Sequence, residues 1–145
     1  MSGALPETLV ILAHSSRIKE LLRWIEIAGE ALRPYRLITT KELHEQLREH
    51  TAMPLTSVLS GKNGGELQLA GLVPTQSVLA VIFLCDPAAR HEMDAGAFVR
   101  VCNLNDLPIA TNLGTALAMI PWFKAPTPLR PELAVESAEP AEAEA

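Results

Sequence analysis

Val78-Leu79-Ala80-Val81-Ile82-Phe83-Leu84-Cys85 is an unbroken apolar run that stops at Asp86-Pro87. A strand solvated on one face alternates apolar and polar residues, whereas a continuous run fits a strand covered on both faces, the kind that parallel sheets contain. Pro87 has no N–H to give to a ladder, so the strand must end there, with the Asp86 carboxylate at its carboxyl end. The run at 8–13, TLVILA, repeats the pattern near the start of the chain and ends at His14-Ser15-Ser16, where a serine is placed to cap the next helix.

Outward from these two runs the chain alternates strands and helices. Residues 17–32 carry Ile18, Leu21, Leu22, Ile25 and Ala28 at the spacing of one helix face, and Pro34 closes the segment. A short strand at 35–39 precedes a polar, exposed helix at 41–49. Pro54 interrupts before a third short strand at 56–59, and a short helix follows at 66–72. Beyond the 78–85 strand, a helix at 95–105 presents Phe98, Val101, Cys102 and Leu104, with Asp94 placed to cap it. A strand at 108–111 and a helix at 113–122, started by Thr111 or Asn112, complete the pattern. This order predicts an α/β domain: a parallel sheet with right-handed crossovers and helices on both faces.

Composition bounds the function. The 145 residues, 48% apolar and only 4% aromatic, suffice for one domain with an aliphatic core that needs no disulfide or metal. The net charge is −5, much of it from Glu132, Glu136, Glu139, Glu142 and Glu144, and Lys and Arg are scattered, so no nucleic-acid surface is expected. Cys85 and Cys102 lie in apolar contexts without metal-ligand spacing, as free thiols of a reducing cytosol do. No signal-peptide pattern precedes the first strand and no apolar run reaches the ~20 residues that span a bilayer, so a cytoplasmic protein without membrane contact is expected. Two units follow: the domain, 1–124, and an acidic, disordered Pro/Ala/Glu-rich extension, 125–145.

The densest chemistry lies in Ser60-Gly61-Lys62-Asn63-Gly64-Gly65-Glu66-Leu67-Gln68. Glycines there let the backbone take positive φ and turn its N–H groups onto an anion, and a carboxylate, Glu66, follows at the head of a helix. Read alone, the stretch is equally a solvated turn, Asp86 a strand terminator and Asp94 a helix cap. In a parallel sheet, however, ligands bind outside the carboxyl ends of the strands. His14, the 60–66 loop, Asp86, His91, Asp94 and Asn112 each follow a strand, and so gather on one rim. Two imidazoles and several carboxylates beside an anion-holding loop point to acid–base work on a small phosphorylated or carboxylated molecule.

The run SGKNGGELQ, the strand end IFLCDP, the loop HEMD, the segment PIATN and the opening LVILAH together resemble methylglyoxal synthase, in the family's order and near its spacing, over about residues 8–120. The resemblance implies a flavodoxin-like α/β fold with about five strands. It also implies a cytoplasmic homohexamer that converts dihydroxyacetone phosphate to methylglyoxal and phosphate without metal or cofactor. Position by position, Glu66 matches the aspartate that removes the C3 proton, Asp94 a second catalytic aspartate, and His91 the histidine that bonds the substrate's oxygens. Ser60 and Gly61 match phosphate ligands, His14 the histidine after the first strand, and Asp86 a carboxylate near the base. Thr40, Lys62 and Gly65 complete the expected substrate and phosphate set.

Four departures accompany these matches. Glu66 is one methylene longer than the family's base, Ser15 replaces an aspartate, and Ile18 replaces a phosphate-binding lysine. Thr40-Lys41-Glu42-Leu43 retains one threonine of a threonine-rich phosphate loop. If Glu42 points inward, its charge about 4 Å from a phosphate would cost about 4 kcal/mol at an effective dielectric of about 20. Lys62, inside the glycine-rich turn, is the cation placed to offset these losses. The alternative is a catalytically impaired member of the fold that acts as a small-anion sensor or a protein-binding module.

Overall fold

A computed structural model describes residues 7–51, 53–58, 64–74, 78–89, 92 and 94–125. Five strands alternate with helices: β1 (Thr8–Ala13), α1 (Ile18–Ala28), β2 (Arg36–Thr40), α2 (Lys41–Leu47), β3 (Leu55–Val58), α3 (Gly65–Leu72), β4 (Val78–Leu84), α4 (Gly96–Leu104), β5 (Ile109–Ala110), α5 (Leu113–Ala118) and α6 (Ile120–Lys124). Every pairing is parallel, and the spatial order is β3-β2-β1-β4-β5. This is the flavodoxin-like layering of a parallel sheet with helices around it.

The two continuous apolar runs are the neighbouring central strands. β1 and β4 pair along their length, Leu9 on Ala80 through Ala13 on Leu84, and every residue of both is buried. Burying an aliphatic side chain contributes roughly 1.5–3 kcal/mol, so these two strands anchor the core. A second core region lies under α1. The Trp24 indole N–H donates to the Ala116 carbonyl at 2.7 Å, and the Tyr35 hydroxyl to the Phe123 carbonyl at 2.9 Å, which joins α1 and the residue before β2 to the last two helices.

The structure departs from the periodicity in four places. The helix expected at 17–32 ends at Gly29, whose φ of 47° with ψ of −118° suits a residue without a Cβ, and the chain tightens into a 3₁₀ turn, Gly29–Leu32. The helix expected at 113–122 is two: Pro121 has no N–H to return to Leu117, so α5 stops and α6 restarts after Met119. The helix expected to be polar and exposed at 41–49 buries Leu43 and Leu47. Leu104, expected on the apolar face of α4, is 71% exposed because it closes the helix, past the buried Cys102.

Among the described residues no helix is long and apolar enough to cross a membrane. The last described helix is α6, and almost all of the expected acidic extension lies outside the described residues.

Candidate functional site

The order of the strands reverses between β1 and β4. From β1 the chain crosses to β2 on one side, and from β4 to β5 on the other, which leaves a crevice between the loops that follow β1 and β4. The His14 N–H donates to the Leu84 carbonyl at 3.0 Å and the Cys85 N–H to the Thr111 carbonyl at 3.0 Å, so the ladder extends just past β1 and β4. The chain then turns away, and a cavity of about 480 Å³ opens there, lined by His14, Cys85, Asp86, Glu92, Asp94 and neighbouring small residues.

His14 is buried to 5% exposure, its ring set edge-on against Phe83 with centroids 5.3 Å apart. The Asp86 N–H donates to His14 Nδ1 at 2.8 Å, so the neutral ring carries its proton on Nε2. Neither serine of the following turn acts as the expected helix cap. Both hydroxyls instead reach the β4 side: Ser16 Oγ to Asp86 Oδ2 at 2.6 Å, and Ser15 Oγ to Glu92 Oε2 at 2.9 Å. The Ser15 N–H adds a bond to Glu92 Oε1 at 2.7 Å.

These donors set the charge state of the cavity. The Ser16 hydroxyl and then the Ala88 N–H hold the Asp86 carboxyl below the usual range; the Ser15 N–H and hydroxyl do the same for Glu92. Asp94 accepts the Gly96 N–H at 2.9 Å across the start of α4, although the N-cap position itself is Ala95, one residue later than expected. A Cβ at Gly96 would stand 3.2 Å from Asp94 Oδ1, so glycine leaves room for that carboxylate. Burial, then the Asp94 charge, pushes the Cys85 thiol up, and the thiol stays protonated, bonded to the Phe83 carbonyl at 3.2 Å.

The expected residues divide into three groups. His14, Asp86 and Asp94 share the cavity. Glu66 and Thr40 are not among its described lining residues: Glu66 is half-buried in the first turn of α3, the helix that follows the edge strand β3. Gly65, buried, begins the same helix, and Gly64 before it takes a φ of 85°. Thr40 is buried at the end of β2, and Glu42 is exposed in the first turn of α2. Ser60, Gly61, Lys62 and His91 lie outside the described residues.

Sequence reasoning missed Glu92 and the two serines. Glu92 sat unremarked inside HEMD, and its acidic neighbour at 94 drew the attention; a serine at position 15, where the family places a carboxylate, was the signal that another residue supplies one. A larger cavity, about 530 Å³, lies between the end of α1 and the segment before β3, lined by Leu22, Ile25, Arg33, His50 and Met53 among others. It is away from the strand carboxyl ends and holds none of the expected site residues.

No family model matches the chain. The chain is 38% identical over 124 residues to a methylglyoxal synthase of Thermus thermophilus, an alignment covering 84% of this chain and 98% of that protein. This chain belongs to the methylglyoxal synthase family. A methylglyoxal synthase of Clostridium botulinum is 32% identical over 117 residues, 79% of this chain and 98% of the relative. The crystal structure of methylglyoxal synthase from Elizabethkingia anophelis superposes with a TM-score of 0.75 at 26% identity, covering 96% of this chain and 94% of that one. Membership in the methylglyoxal synthase family thus extends over nearly the whole length of these relatives, and with it the expectation of a lyase.

Proposed function

We propose that the protein is a methylglyoxal synthase that eliminates phosphate from dihydroxyacetone phosphate. The observation that carries this reading is the crevice between β1 and β4, where His14, Asp86 and Asp94 line one cavity in a chain whose relatives bear that name. Glu66 takes the proton from C3 of the substrate, and the electron pair moves to the carbonyl oxygen as an enediolate. The C3 hydroxyl then gives up its proton to solvent, its pair forms the C3 aldehyde, the C2–C3 π pair shifts to C1–C2, and the C1–O bond breaks with phosphate taking the bonding pair; the remaining enol takes a proton at C1 and becomes methylglyoxal. His91 holds the developing oxyanion, with His14 and Asp94 at the same opening. Ser60, Gly61, Gly65 and Thr40 take the phosphate, with Lys62 as its cation. Every step is proton transfer and elimination within one molecule, so it balances without a redox partner. The cytoplasmic homohexamer implied by the resemblance belongs to the same reading.

A colorimetric assay of purified protein with dihydroxyacetone phosphate tests it. Wild type produces methylglyoxal, Glu66→Gln does not while still binding phosphate, and Lys62→Ala raises KM. Well-folded wild type that yields no methylglyoxal above background would overturn the reading in favour of an anion sensor.

A further inference from the structure

Glu92 is exposed, yet its carboxylate makes a two-point contact with a residue 77 positions earlier in the chain, bonding both the N–H and the hydroxyl of Ser15. Water competes for such bonds at a surface, so the contact adds little to stability and its consequence is geometric. Ser15 is the residue after His14. The His14 carbonyl accepts the Arg17 N–H at 2.8 Å, so the turn that carries the imidazole is closed on one side by that bond and fixed on the other by Glu92. The Ser16–Asp86 bond runs alongside, and Asp86 in turn donates its N–H to the His14 ring. The loops after β1 and β4 are therefore laced together at the mouth of the cavity, and Glu92 supplies the outermost stitch.

We propose that Glu92 is a positioning residue that acts through Ser15 to hold the His14 ring at its angle in the cavity. The role in turnover rests on the synthase reading above; the hold on His14 does not. The carboxylate works as a pair of acceptors rather than as an acid or base. Glutamine at 92 keeps an acceptor for the Ser15 N–H, and its amide can donate to the Ser15 hydroxyl, so the conservative variant preserves the contact, whereas alanine removes it.

Two measurements on the full chain decide this. In steady-state assays with dihydroxyacetone phosphate, Glu92→Ala lowers kcat roughly tenfold with KM within about twofold, because a displaced group costs rate more than binding. Glu92→Gln stays within about threefold of wild type, and Glu92→Ala combined with Ser15→Ala is no slower than Glu92→Ala alone. In ¹⁵N NMR of the substrate-free protein, Glu92→Ala shifts the His14 ring nitrogens and Glu92→Gln leaves them in place. Unmoved His14 signals in a folded Glu92→Ala protein overturn the proposal whatever the activity. So does a Glu92→Gln protein as slow as Glu92→Ala, or unchanged turnover in an active Glu92→Ala protein. Should wild type itself make no methylglyoxal, the synthase reading fails, and the NMR comparison still decides the hold on His14.

Discussion

The Asp86 N–H meets the Nδ1 of His14 at 2.8 Å, across the line where the sheet's strand order reverses. That bond fixes the tautomer: in its neutral form the ring keeps its proton on Nε2 and can donate there. ¹⁵N spectra of the ring should show the Nε2–H pattern, and an Nδ1–H pattern would contradict the arrangement.

Acid should loosen the same region, and the sign follows from the direction of the shifts. Asp86 and Glu92 are held below the ordinary carboxylate range by the serine and backbone donors, so their contribution is present above the unfolded value of about 4 and is lost as pH falls through the lower folded value. Ser16→Ala should lower Tm near neutrality, with the gap to wild type closing as pH falls through the range in which Asp86 takes up its proton. Scanning calorimetry across that range is the check, and a gap that widens on acidification would contradict it.

The core under α1 gives a prediction about stability. Trp24→Phe keeps most of the volume but removes the shorter of two bonds to the Ala116 carbonyl, which retains the Met119 N–H at 3.3 Å, and should cost about 0.5–1.5 kcal/mol. Phe123→Ala removes a ring that meets Trp24 at 6.1 Å and Tyr35 at 5.7 Å between centroids, and should cost about 3–5 kcal/mol. Urea unfolding at pH 7 measures both.

The two thiols should differ in access, Cys85 half-buried at the cavity and Cys102 fully buried, but not in charge. Burial pushes Cys102 up to about 11 and raises Cys85 as well, so neither is a thiolate at pH 8. Ellman's reagent should label both slowly until denaturant is added; a fast phase in native protein would show that one of them is more open than its packing implies.

Glu66→Asp examines whether the site has adapted to the longer acid. Shortening the side chain retracts the carboxylate by roughly 1 Å, and kcat should fall about tenfold to a hundredfold, with KM little changed. Unchanged or higher turnover would mean that this site still fits the family's aspartate.

The fold was legible because its decisive signals are one-dimensional. VLAVIFLC and TLVILA have the unbroken apolar character of strands buried on both faces, and the two are central neighbours. The breaks at Gly29 and Pro121 were visible as residues but lost under an apolar spacing that ran through them, since periodicity records which face is buried and not whether the backbone can continue. That His14, Asp86 and Asp94 would share one rim was legible because each directly follows or closely trails a strand, a relation that topology turns into proximity, and the three line one cavity. Glu92 was not, because its partner is 77 residues away and no spacing rule links Ser15 to it.

The pairing of β1 with β4 joins residues 8–13 to residues 78–84. During synthesis the first strand therefore waits for some seventy residues before its second neighbour exists, with one row of backbone N–H and C=O groups open to any other nascent strand. A chain released before Val78 has β1, β2 and β3 but no crevice, so the same register that opens the cavity makes premature termination an aggregation hazard, and ties the birth of the cavity to closure of the sheet.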